Sequence, residues 1–309
     1  MVTLASIINA FIDWAPSQML ELGPVHLRYY SLCWVIGLAL AYVVVQRLYK
    51  EQKLSNEDFE PLFMYCFLGI LIGARLGHCL FYEPDYYVHH AIEMFFPIKE
   101  VYNPEMVSSW LNWVPCTHGG LGWTFVGYEG LASHGGTLGL MIALALYVRK
   151  THINIMRVLD NIAIATPITA CFIRLGNLMN SEIIGNVSDV PWAFIFHTRS
   201  AMIDGQLVAR HPAQLYEALA YLLLFFIGWI IYKKYSNKVG TGFYFGLCLT
   251  YIFTFRFFIE FLKEVQGGVD DGSTIINVGQ MLSIPFVILG VACMIGGSWL
   301  KNIAEKKAK

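Results

Sequence analysis

Polar side chains gather where the chain is otherwise apolar. The stretch CFIRLGNLMNSEIIG, residues 171–185, carries Arg174, Asn177, Asn180 and Glu182, with glycines at 176 and 185. FRFFIEF sets Arg256 and Glu260 four residues apart, on one face of a helix. RHPAQLYE, residues 210–217, places Gln214 and Glu217 within one turn after Pro212, a residue suited to a helix start. GARLGH adds Arg75 and His78, and ASHGG adds His134. A guanidinium suits phosphate because its planar fork donates two parallel hydrogen bonds. Two or three arginines at one level, oriented by Asn, Gln and Glu, read as a lipid-phosphate site. A neutral imidazole at His134 can serve as a general base, and the glycines after it permit close backbone approach. Each feature has a plainer reading. Arg256 and Glu260 can neutralise one another, Arg75 and Arg174 can snorkel toward head groups, and Glu217 can answer a helix dipole. A lone His is more often structural, and a second HGG at 118–120 competes with His134. His134 is preferred because an apolar segment follows it directly.

These residues need elements to hold them, and composition says which kind. Of 309 residues, 56% are hydrophobic and 14% charged, with mean hydropathy +0.53. A soluble domain carries about 25% charged residues. Apolar runs long enough to cross a bilayer core of about 30 Å decide the class. The expectation is an all-α polytopic membrane protein, a single domain with seven transmembrane helices near 29–48, 60–81, 134–148, 158–178, 213–232, 242–262 and 278–300. The third is short and glycine-rich. Residues 1–16 lack the basic region of a signal peptide, and their helical apolar period predicts an interfacial helix. Lysines and arginines concentrate after the first, third and fifth spans and in the C-terminal tail, so the C-terminus is expected in the cytoplasm and the N-terminus outside. Long outer segments near 82–133, 180–212 and 263–277 form a head region, with a small hairpin predicted within 189–210 at Asp204-Gly205. The polar residues named above then fall on the outer half of their spans. Ionisable groups at such depth are expensive, which marks them as functional candidates. The seven cysteines form no CxxC pair and read as small buried side chains. A net charge of −1 says little about partners.

RLGNLMNSEIIG resembles the signature of the prolipoprotein diacylglyceryl transferases, G-R-x-G-N-F-x-N-x-E-x-x-G. GPVHLRYYSL, SHGG, HPAQLYE, FRFFIEF and NVGQMLSIP resemble further pieces of that family, in the same order. The resemblance covers nearly the whole chain. It implies seven spans, an outer N-terminus, and transfer of the diacylglyceryl group of phosphatidylglycerol to the lipobox cysteine of an exported prolipoprotein, releasing glycerol phosphate. It implies the bacterial cytoplasmic (inner) membrane, no metal or other cofactor, and no nucleic-acid partner. Tyr30, His134, Arg174 and Arg256 match catalytic positions. Asn177, Glu182, Gly185 and Glu260 match head-group positions, with Gln214 and Glu217 beside the arginines. Ile173 and Leu178 depart from the signature at packing positions. A thiol with a pKa near 8.5 needs a base or a positive site, so His134 is expected to take its proton while Arg174 and Arg256 hold the phosphate. The rival readings are a transporter or flippase for an anionic lipid or solute, an intramembrane hydrolase and a lipid-binding scaffold. Repeated halves are not apparent, and no G-x-S-x-G occurs.

Overall fold

The computed structural model describes residues 11–17, 19–22, 25–111, 113–126, 130–264 and 276–297, with positions 299, 303 and 306 beyond. The chain divides into two compact units. One comprises Met1–Lys53 with Ile153–Lys309, the other Leu54–His152.

In the first unit, strands β1 (Ile12–Trp14), β2 (Met19–Leu22) and β3 (Val25–Arg28) lead into helix α1 (Tyr29–Glu51). In the second, α2 (Asn56–Phe81) is followed by the short α3 (Pro84–His89) and α4 (Ala91–Phe95), strands β4 (Ile98–Val101) and β5 (Gly122–Phe125), and α5 (Ser133–Thr151). The first unit resumes with α6 (Ile155–Met179), strands β6 (Phe194–Phe196), β7 (Met202–Ile203), β8 (Gln206–Leu207) and β9 (Ala209–Arg210), then α7 (Ala213–Lys234), α8 (Phe243–Ile259) and α9 (Val278–Ile295).

Among the described residues, six helical segments are long and apolar enough to cross a membrane: α1, α2, α6, α7, α8 with its short extension to Leu262, and α9. The chain is thus a mostly helical, multi-pass membrane protein. The segment expected as the third span forms α5, which is 19 residues long but is not among those six.

Capping residues start the helices. Asn154 accepts from Met156 N at 2.8 Å to open α6. Asn277 and Gln280 form a reciprocal capping box at α9. Helix α6 is the centre of its unit, packing against α1, α7 and α8, while α9 packs on α8. Asp160 near the start of α6 is fully buried. Its carboxylate accepts the backbone N–H groups of Gly240, Gly242 and Phe245 at 2.8, 3.0 and 2.9 Å, so it caps α8 from a neighbouring helix.

In the second unit, α2 and α5 meet along glycines. A Cβ on Gly69 would lie 2.5 Å from Ala143 Cβ, one on Gly77 would lie 2.7 Å from Gly135 Cα, and one on Gly139 would overlap the Gly69 carbonyl. The repeat Gly69-x3-Gly73-x3-Gly77 is the small-residue seam that lets two membrane helices touch backbone to backbone.

The all-α expectation needs correction in the segments between the long helices. Backbone outside the helices must satisfy its own N–H and C=O groups, and short strands do so. β6 pairs parallel with β1 and antiparallel with β9, β2 pairs with β3, and β4 pairs with β5. The predicted hairpin is present as β7–β8, with positive φ at Asp204 and Gly205 as a tight two-residue turn requires. The interfacial helix is likewise corrected over Ile12–Trp14. That stretch is a strand because β6 offers it an edge, and Trp14 Nε1 donates to Leu178 O at 3.0 Å. Residues 1–10 of that expectation lie outside the described residues. All seven cysteines are free thiols, with Cys79, Cys171, Cys248 and Cys293 buried.

Candidate active site

Three helix ends meet in the first unit. Arg174 stands in the last turns of α6, Gln214 and Glu217 at the start of α7, and Arg256 at the end of α8, with Glu260 and Lys263 just beyond. Their charges alternate along one chain of contacts. Arg174 Nε lies 3.2 Å from Glu217 Oε2, and Glu217 Oε1 lies 3.1 Å from Lys263 Nζ. Lys263 Nζ lies 3.4 Å from Glu260 Oε1, which lies 3.8 Å from Arg256 Nε. Glu217 is fully buried and Lys263 nearly so. Buried charges are tolerated only with partners, and here each carboxylate sits between two cations. Three cations against two carboxylates leave the row with a positive excess. The 3.8 Å separation exceeds hydrogen-bond length, so Glu260 does not consume the Arg256 fork, and 42% of that side chain's surface is exposed. Arg174 keeps 17%.

Arg174, Arg256, Glu260 and Lys263 line one cavity of about 270 Å³, together with Glu264, Asn277 and apolar Ile183, Ile184 and Leu282. The cavity therefore combines charged and apolar side chains in its lining, as a phospholipid head with its first methylenes would require. A larger groove of about 560 Å³ runs along α2 and α5 in the other unit. It is lined by residues such as Leu68, Ile72, Leu138 and Ile142, and no charged side chain lines it.

Beside the cavity, a relay fixes the arginine. Asn177 Oδ1 accepts from Arg174 Nη1 at 3.4 Å, and Asn177 Nδ2 donates to Glu182 Oε1 at 3.0 Å. Asn180 Nδ2 donates to the same oxygen at 3.1 Å, and Gln214 Nε2 donates to Glu182 O at 2.6 Å. The sequence cluster at 174–182 is thus one hydrogen-bonded group at the C-terminal end of α6 and just beyond it. Gly185 is held in backbone pairing with Lys263. A Cβ there would lie 2.6 Å from His211 O and 2.8 Å from Leu262 O, so its small size serves close packing. Tyr30 lies over Gly176, where a Cβ would stand 3.0 Å from Tyr30 Cδ2. It thereby backs the turn that carries Arg174 and Asn177.

His134 belongs to the other unit, exposed in the first turn of α5. The backbone leading to it is tied to α2, since Ala132 N donates to Ala74 O at 2.9 Å. Arg75, expected as a phosphate candidate, spends its guanidinium on carbonyls instead. It donates to Glu93 O at 2.6 Å and Met94 O at 3.2 Å, and stacks over Tyr87 at 4.9 Å. The second HGG surrounds a buried acid. Glu100 accepts from Thr117 N, His118 N and Gly120 N at 3.2, 3.0 and 2.7 Å. Burial alone would raise the pKa of Glu100, but these donors outweigh it and hold the carboxyl down at about 2.

Sequence reading missed Lys263. By residue type it is a lysine just past an apolar run, yet it bridges the two carboxylates of the site. The available signal was its spacing of three from Glu260.

Comparison with known proteins covers nearly the whole chain. Residues 17–296 match the family model described as prolipoprotein diacylglyceryl transferase. A protein of Bacteroides fragilis named phosphatidylglycerol–prolipoprotein diacylglyceryl transferase is 57% identical over 285 residues, covering 92% of this chain and 94% of its own. Proteins of the same name from Tolumonas auensis and Chloroherpeton thalassium are each 38% identical. The first match spans 278 residues (90% of this chain, 93% of its own) and the second 286 (92% and 93%).

Proposed function

The chain belongs to the prolipoprotein diacylglyceryl transferase family, and we propose that it performs that transfer with a phosphate clamp built on Arg174 and Arg256. It is a transferase of lipoprotein biosynthesis. Its substrates are phosphatidylglycerol and a prolipoprotein, the latter presenting a lipobox cysteine. The family relation favours this reaction over a transporter or flippase.

The reaction balances with one proton and one leaving group. The cysteine thiol gives its proton to His134. The thiolate sulfur attacks the glyceryl carbon beside the phosphate and forms a thioether. The carbon–oxygen bond breaks, and its electron pair leaves with glycerol phosphate. Arg174 and Arg256 hold the phosphate and stabilise the charge that grows on the departing oxygen. Glu217 and Glu260 aim the two arginines, Asn177 and Glu182 set the Arg174 rotamer, and Gln214 and Gly185 keep the 182–185 backbone in register. Tyr30 supports the α6 turn and positions the head group. The protein works as one catalytic domain in the inner membrane, with α5 as a seventh span, the N-terminus outside, the C-terminus in the cytoplasm and the site near the outer leaflet.

The observation that carries this reading is the cavity faced by both Arg174 and Arg256 and joined beneath them by Glu217, Lys263 and Glu260. The test is transfer of labelled diacylglyceryl to a lipobox peptide, with a Cys→Ser peptide as control. Arg174→Ala and Arg256→Ala should each lower the rate by about 10²-fold, the scale for losing one charge-stabilising donor. Full activity in both variants would refute the clamp.

A further inference from the structure

We propose that the end of the first unit opposite the Arg174 cavity holds a second anion site, shaped for a phosphate group. The proposal does not depend on the transfer reaction. At that end α1 stops, α6 starts and α7 stops. Glu51, Gln52, Arg157, Tyr232, Lys233 and Asn237 line a cavity of about 540 Å³, with more polar than apolar surface. Arg157 precedes Arg174 by more than four turns of α6, so the two sites stand roughly 25 Å apart along that helix.

The charges do not close. Glu51 is the cavity's carboxylate among the described residues, and it is already taken by Lys233 Nζ at 2.6 Å and Arg47 Nε at 3.1 Å. Asp160, three residues after Arg157, is committed to the N–H groups of Gly240, Gly242 and Phe245. Among the described residues no carboxylate pairs with Arg157, and its Nε is buried with no hydrogen-bond partner. A charged donor left in that condition is costly, and an anion in the cavity relieves it.

Two surroundings point to phosphate. The N-terminal pole of α6, capped by Asn154, adds positive potential beside Arg157. Lys233 of the lining and Arg47, which pairs with Glu51, lie over Trp229 at 5.0 and 5.2 Å. Tryptophan beside basic side chains is the pairing found at a bilayer interface, and basic pockets between membrane helices take lipid head groups. The ligand chemistry is a phosphate, carried by an anionic lipid or free in solution.

The experiment uses the full chain in phosphatidylcholine nanodiscs doped with phosphatidic acid, counting retained acid by native mass spectrometry. A parallel arm measures thermal stabilisation by inorganic phosphate in detergent. Arg157→Gln should bind about tenfold more weakly, the effect of removing one charge-assisted hydrogen bond. Asn237→Asp adds a repelling charge at an exposed position, so it should weaken binding without disturbing packing. Response to phosphatidic acid alone identifies a lipid ligand, and response to inorganic phosphate identifies a free one. Either upholds the site if Arg157→Gln weakens the response about tenfold and Arg174→Ala leaves it unchanged. Binding that follows Arg174 instead, equal binding by wild type and both cavity variants, or no binding in either arm overturns the proposal.

Discussion

Lys263 serves two acids at once, and that decides what its removal should do. Lys263→Met leaves Glu217 buried with one of its two cations gone. Breaking a buried pair from one side costs about 3 kcal/mol or more, so detergent-solubilised protein should unfold at a clearly lower temperature. Adding Glu217→Gln should recover part of that loss, because the orphaned charge is then gone. A double variant no more stable than Lys263→Met would mean that Lys263 acts elsewhere. The residues at 174–182 were legible in the sequence because polarity inside an apolar segment is costly and so stands out. Lys263 was not, because a lysine just past a span looks like any loop cation until its partners from α7 are in place. Arg75 misled for the converse reason. Its partners include backbone carbonyls at residues 93 and 94, and carbonyls leave no mark in the residue types.

At the level of elements, the sequence announced the helices more clearly than their contacts. The apolar runs are long, whereas the α2–α5 seam depends on glycines of two separate segments whose facing positions no spacing within one segment reveals. Because Gly73 faces the backbone of Gly139 at 2.8 Å from its would-be Cβ, Gly73→Leu must push α5 away from α2. That should displace His134 and lower transfer by at least tenfold, while binding of phosphatidylglycerol to the Arg174 cavity remains. Loss of both would place the damage in folding rather than in the seam. The β4–β5 pair gives a pH prediction. The folded Glu100 carboxyl titrates at about 2, below its ordinary 4.5. Its contribution is complete above about 4.5 and is lost as the pH falls toward about 2, since the unfolded chain takes up the proton first. Amide exchange at His118 and Gly120 should accelerate over that window, corrected for intrinsic rates. Glu100→Gln should raise exchange at pH 7 and flatten the acid response.

For the whole molecule, the distribution of lysine and arginine makes a claim about sidedness that fusions can test. A phosphatase joined after the last residue should be inactive, and one inserted within 82–133 should be active. The opposite pattern would invert the topology and put the Arg174 cavity on the wrong leaflet for an exported substrate. The short strands were hard to foresee because β1 and β6 are about 180 residues apart in the chain and each is only three residues long; periodicity over so few positions is ambiguous. Asp160 carries a consequence for synthesis. A chain is made from its N-terminus, so α6 emerges before the turn between α7 and α8 exists. When Gly240, Gly242 and Phe245 arrive, the acceptor for their N–H groups is already in the bilayer. The α7–α8 hairpin can therefore dock on a finished template instead of waiting for one, and Asp160→Ala should prolong the lifetime of a protease-sensitive nascent form.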